Sequence, residues 1–208
     1  MQSHIGTLSV GGAATIGAGI AAAVDVNNIN RETTAKIVGV AGTDLNKNIV
    51  NGYDIDVNAL GETDITITES GLAVGAGASG GGAVTGSVSV NHFTGLTNAM
   101  VNGIISNAHQ LNIEANRVAD IQTYNNGAAV SGGEIAGAIG VGVTYVKDES
   151  STSASLNNSN VERFGSVDDA DVSVQADNKS SISTEAGSGA LAIGLGGAVG
   201  TSIGVANM

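Results

Sequence analysis

The sequence predicts an all-β fold, a parallel β-helix or β-solenoid, and three observations carry that expectation. The chain repeats itself at intervals of 55 to 64 residues. Within each repeat, short segments alternate apolar and polar residues, the period of a half-buried strand. Glycine supplies 32 of 208 residues and proline none, so the fold tolerates residues that are poor in helices while lacking collagen's chemistry.

The repeat is defined by anchors in a fixed order. The first is Ile20 to Asn27 (IAAAVDVN), matched by Val84 to Asn91 (VTGSVSVN), Ile139 to Val146 (IGVGVTYV) and Val199 to Ala206 (VGTSIGVA), at steps of 64, 55 and 60. Val84, Val88 and Val90 share one face of this strand; Thr85, Ser87 and Ser89 share the other. The second anchor is a TxAx(I/V/L) strand at Thr33–Ile37, Thr97–Val101 and Thr152–Leu156. The third is DIDVNA (54–59), QLNIEA (110–115) and DVSVQA (171–176), followed six residues later by Ile65, Ile121 and Ile182. Its apolar set, Ile55, Val57, Leu111, Ile113, Val172 and Val174, is expected to point inward and stack in ranks.

Length variation sits between the second and third anchors, where the alanine-to-alanine gaps are 24, 16 and 22 residues. A gap that varies between constant flanks reads as a loop outside a fixed frame, so 38–53, 102–109 and 157–170 are expected to be loops, and 38–53 and 157–170 to protrude. Gly/Ala-rich runs (11–23, 71–86, 127–142, 187–204) precede each first anchor and read as a small-residue sheet face where backbones approach closely. Strands of about 5–6 residues with turns of about 4–6 give a coil near 20 residues, so each unit is expected to span two or three coils. The whole chain reads as one continuous solenoid segment, with units at roughly 1–64, 65–120, 121–181 and a partial 182–208.

Composition excludes several functions. No cysteine means no disulfide frame, thiolate zinc site or catalytic thiol. A net charge of −12 opposes binding to nucleic acid. Residues 187–206 lack charge over a membrane-spanning length, but the equivalent run in the third copy holds Glu134, so a transmembrane helix is not expected. Residues 8–24 resemble a signal-peptide core without its basic flank and align with the repeat. The histidines, His4, His92 and His109, lack metal-ligand spacing. No EF-hand loop, GxSxG, P-loop or Ser–His pairing occurs. Asp168 and Asp169 sit in a variable loop, where loose divalent-ion binding is a minor alternative to plain solvation. No cofactor is expected.

The ordered pattern, a Gly/Ala run, V-x-V-N, TxAxI, a variable loop and D-I-x-V-x-A, resembles the passenger repeats of very large bacterial surface adhesins. These include the fusobacterial leukotoxin-like and filamentous hemagglutinin-like exoproteins. The third copy departs from it, with Val146 where Asn27 and Asn91 stand. The resemblance implies a secreted, outer-membrane-displayed rod without catalysis, meeting its neighbouring repeats and a host-cell or bacterial surface receptor, protein or glycan. Candidate contact residues are those of the variable loops: Asp44, Asn46, Lys47, Asn48, His109, Arg163, Asp168 and Asp169. The rival classes are a β-helical polysaccharide-active enzyme, marked by close paired carboxylates beside stacking tyrosines, and a membrane-active cytolysin. An ice-binding array would need flat ranks of threonine, and Thr66/Thr68 is not cleanly repeated.

Overall fold

A computed structural model describes residues 2–13, 17–38, 49–77, 79–157, 159–163 and 170–207. They form strands β1 (Gln2–Ala13), β2 (Gly17–Val38), β3 (Ile49–Asn51), β4 (Asp54–Ala76), β5 (Gly81–Asn102), β6 (Ile104–Ala108), β7 (Gln110–Gly132), β8 (Ala136–Asp148), β9 (Ser151–Leu156), β10 (Asn160–Arg163), β11 (Asp171–Ile193) and β12 (Gly197–Asn207). Every pairing is parallel. Sheet A runs β1-β4-β7-β11. Sheet B runs β2-β5-β8-β12, with β9 also beside β5. The short sheet C runs β3-β6-β10. The all-β solenoid expected from the repeat is the fold observed.

The number of coils per unit is corrected. Asp54 pairs with Gln110 and Gln110 with Asp171; Gly17 pairs with Gly81 and Gly81 with Ala136. Equivalent residues of successive units are hydrogen-bonded neighbours, so one unit makes one turn, not two or three. The expectation failed because it assumed ordinary strand lengths. Here β4, β7 and β11 are each 23 residues long. Unbroken inward alternation from Ile55 to Ala59 and from Ile65 to Ala73 gives no reason to turn before the glycines after Ala76.

Each turn is a flattened, tapering loop. A sheet A strand runs out, a glycine-rich turn reverses it, a sheet B strand returns, and sheet C closes the wide end. Side-chain size follows the taper. At the wide end Ile55, Val57, Leu111, Ile113, Val101 and Ile105 form one aliphatic cluster. Midway, Ile65, Ile67, Ile121, Phe93 and Val146 form a second. At the narrow end only alanines remain, including Ala73, Ala83, Ala129 and Ala138. Ile55, Leu111 and Val172 stack in one rank, as do Val57, Ile113 and Val174, with the last members more exposed on the final turn.

The narrow end explains the Gly/Ala runs. A Cβ on Gly75 would lie 1.8 Å from the Gly82 carbonyl oxygen, and one on Gly140 would lie 2.6 Å from that of Gly189. The backbones of sheets A and B touch there, as the small-residue reading requires. The same crowding decides which face of the first anchor turns inward. Thr85, Ser87, Ser89 and Asn91 are buried, while Val84 and Val88 face out.

The loop expectation is corrected in part. Residues 104–108 are strand β6, with Ile105 and Ala108 buried in the wide-end core. Residues 49–51 and 160–163 pair with it. A short hydrophobic strand is hidden inside each variable segment, which the gap arithmetic alone could not separate from loop. Residues 187–193 and 197–206 lie in strands β11 and β12, and no helix among the described residues is long and apolar enough to cross a membrane.

Candidate functional site

The described parts of the variable segments, among them β3, β6 and β10, lie along one edge, where sheet C meets the start of sheet A. At this edge the Tyr53 and His109 rings stack, with centroids 4.7 Å apart and planes within 2°. His109 Nδ1 lies 3.3 Å from Asp54 Oδ1, and all three residues are about half exposed. The stack is fixed by backbone: the His109 and Gln110 N–H groups donate to the Tyr53 carbonyl at 2.7 and 3.1 Å. Asn107 adopts the left-handed conformation (φ 58°), tolerable for asparagine, and its Nδ2 donates to Asn51 Oδ1 at 2.8 Å. An aromatic pair, a carboxylate and amide groups on one solvent-facing edge form a surface able to stack on and hydrogen-bond a polar, flat-faced ligand.

Of the contact residues expected from sequence, only His109 has a described side chain, and it lies on this edge. Arg163 ends strand β10. Asp44, Asn46, Lys47, Asn48, Asp168 and Asp169 fall outside the described residues. Among the described residues no three His, Asp, Glu or Cys side chains gather as a metal site.

The two broad faces differ in chemistry. The outer face of sheet A carries Asp54, Asp56, Glu62 and Asp64 on β4, Glu114 and Asp120 on β7, and Asp171, Asp177 and Glu185 on β11, against Lys179. Acids mostly stack on neutral residues, as in the rank Asp56–Asn112–Ser173; Asp64 beside Asp120 is the exception. The outer face of sheet B is uncharged and apolar over its narrow half, residues 18–26, 82–90 and 137–145, while Glu32, Lys36 and Lys147 lie further along it. Its ranks are Ile20–Val84–Ile139, Ala22–Gly86–Val141, Val24–Val88–Val143–Ile203 and Val26–Val90–Tyr145. Ile20, Val24 and Val26 are 71, 67 and 68% exposed.

Two polar seams cross the interior. In the first, Arg117 reaches across from sheet A. Its Nη2 donates to Asp148 Oδ2 at 2.9 Å and its Nη1 to Asn178 Oδ1 and Ser180 Oγ at 3.0 Å. Burial pushes the Asp148 carboxyl up, but hydrogen bonds from Ser150 and Ser180 and the Arg117 charge outweigh it, so it sits below its ordinary value. Arg117 stands in register with Gly61, where a side chain would instead run into Thr97. Arg31 enters the same seam opposite Gly95 and bonds the Glu62 carbonyl and Thr63 Oγ1 at 2.9 Å. Between them lies a cavity of about 20 Å³, room for one water.

The second seam holds Glu69, fully buried and facing Ser89 of sheet B. Burial raises its pKa to about 7, with Ser89 opposing and the Asp25 charge assisting. Asn91 Nδ2 donates to Ser89 Oγ, and Asn27 Nδ2 donates to both Asn91 Oδ1 and Asp25 Oδ2, each at 2.9 Å. This asparagine pair ends against buried Val146.

Sequence reasoning missed Glu69 and Arg117, although parity exposes both. Glu69 continues the inward series Ile65, Ile67, and Arg117 continues Leu111, Ile113, Ala115. Comparison with protein-family models, with curated proteins and with solved structures found no match to this chain.

Proposed function

We propose that the chain is a non-catalytic adhesive segment of a secreted or surface-displayed bacterial adhesin, contacting a surface glycan or protein through the edge that bears Tyr53, Asp54 and His109. The observation that carries this reading is the stacking of one unit per turn. It brings the described parts of the variable segments, β3, β6 and β10, to a single edge and sets exposed aromatic, acidic and amide groups beside them. Geometry also favours display over spacing. Each turn adds only about 4.8 Å along the stack while using 55 to 64 residues, most of them building broad faces.

The test is binding of the purified chain to a glycan array and to host and bacterial cells, alongside the Tyr53→Ala/His109→Ala variant. The expected result is retained binding without new reducing ends, lost in the variant while its circular dichroism is unchanged. Glycan cleavage would replace this reading with the polysaccharide-active enzyme. Binding equal in both proteins would remove the edge from the proposal.

A further inference from the structure

Charge in this protein is segregated. Sheet A presents a carboxylate-rich outer face, whereas the outer ranks of sheet B between residues 18 and 26, 82 and 90, and 137 and 145 contain no charged residue. Solvent exposure of branched aliphatic side chains on this scale opposes solubility, and contiguous apolar patches beyond a few hundred Å² mark interaction sites. We infer that the outer face of sheet B is a self-association surface that pairs two copies of this chain face to face.

Area, relief and electrostatics all favour a second copy. Four strands about 4.8 Å apart and four to five outward ranks about 6.8 Å apart cover on the order of 500–600 Å² per copy. Doubled, that reaches the roughly 1,000 Å² that a specific interface needs. The relief is low: the Val24–Val88–Val143–Ile203 rank forms a ridge beside the Ala22–Gly86–Val141 rank, which is open only at Ala22 and Gly86, where a Cβ added to Gly86 would meet nothing within 4 Å. Under a two-fold axis through the middle of the patch, beside Val88, the face packs on itself, an isologous contact, at the ordinary spacing of about 10 Å between packed sheets. The rim is polar, with His92, Lys147 and Glu149 beyond the last apolar rank.

Charge fixes the orientation. Two copies at −12 each repel, and any contact through sheet A brings carboxylates together. Pairing through sheet B places both acidic faces outermost, separated by two solenoid thicknesses plus the interface. That distance exceeds the Debye length of about 8 Å at physiological salt. The pairing therefore holds or tightens slightly as salt rises, unlike one built on ion pairs. It also leaves the Tyr53–His109 edge of each copy open, so it is independent of the adhesive role.

The test is sedimentation equilibrium of the purified chain at about 0.05 and about 0.5 M salt, with Val88→Asp as the disrupting variant. The expected results are a dimer in the micromolar range, no weaker at high salt, and at least about a 100-fold loss on placing a carboxylate at the ridge. Because the chain has no cysteine, a second measurement is independent of how the aspartate variant folds. Val88→Cys is expected to form an interchain disulfide under mild oxidation, while Asp120→Cys on sheet A stays monomeric. A monomer at about 100 μM, a dimer indifferent to Val88→Asp, or cross-linking through position 120 overturns the inference. So does a monomer that floats with neutral phosphatidylcholine vesicles, which would assign the face to lipid.

Discussion

Glu69→Gln separates a buried carboxyl that is neutral in the folded protein from one that is held charged. Glu69 is fully buried, and its pKa stands at about 7 against an ordinary 4.5 because burial outweighs the opposing hydrogen bond with Ser89. Between those values the folded chain keeps a proton that the unfolded chain has released. The contribution of Glu69 to stability is therefore fullest below pH 4.5, falls as the pH rises through about 7, and levels off above it. At 1.36 kcal/mol per pKa unit, the difference from 4.5 to about 7 corresponds to about 3 kcal/mol. Glutamine is neutral at every pH and its amide brings a donor into a seam where the register neighbour Asn125 has an unpartnered Oδ1. The variant should match the parent near pH 4.5 and exceed it by up to about 3 kcal/mol at pH 8.5. For a chain of this size that is about 6–12 °C in Tm. The assay is thermal or urea unfolding of both proteins from pH 4 to 9, read as a difference so that titrations common to both cancel. A difference that stays constant across the range would refute the reasoning, as would a carboxyl resonance titrating near 4.5.

Packing at the narrow and wide ends gives two further expectations. Gly140→Ala places a Cβ 2.6 Å from the Gly189 carbonyl oxygen and should cost at least about 1–3 kcal/mol in urea unfolding. The matched Gly132→Ala, with nothing within 4 Å of the new carbon, should be within about 1 kcal/mol of neutral. Ala99→Leu, at a fully buried position in the wide-end cluster, should lower stability by about 1–3 kcal/mol.

The repeat, the inward ranks and the close backbone approach were all legible in the sequence, because each depends on spacing and side-chain size. Ile55, Leu111 and Val172 could be aligned before any coordinates, and they stack. Turn length was not legible, since a strand of 23 residues and three shorter strands share the same alternation until a turn is placed. Sheet C was masked because its strands, Ile104–Ala108 among them, are short and sit in the segment whose length varies. Polarity misleads on β5: valine ordinarily marks the inside, yet here the inward places are taken by Ala83, Thr85, Ser87, Ser89 and Asn91 while Val84 and Val88 face out. Of the contact residues named from sequence, only His109 has a described side chain; it lies in the middle unit, where the segment is shortest, stacked on Tyr53.

A stack of near-identical strands must also choose its register, and alternation alone does not choose it. Slipping one turn by two residues keeps every apolar side chain inside. Arg117 distinguishes the alternatives. In the observed register it lies beside Gly61 and reaches Asp148, Asn178 and Ser180; a slip sets it against Ala59 or Thr63. Arg117→Met alone should cost about 3–5 kcal/mol, because Asp148 stays buried without its counter-charge. The cost should grow with pH as Asp148 ionises, since its folded pKa lies below its ordinary value and the pair's contribution disappears as pH falls through it. Arg117→Met with Asp148→Leu removes both charges and should recover most of that loss. If the pair specifies register, the recovered variant should unfold with a smaller urea m-value and show broadened or doubled amide resonances for β7 and its neighbours. A double variant with parental m-value and a single sharp set of resonances would show that the glycine contacts of the narrow end fix the register without help from the ion pair.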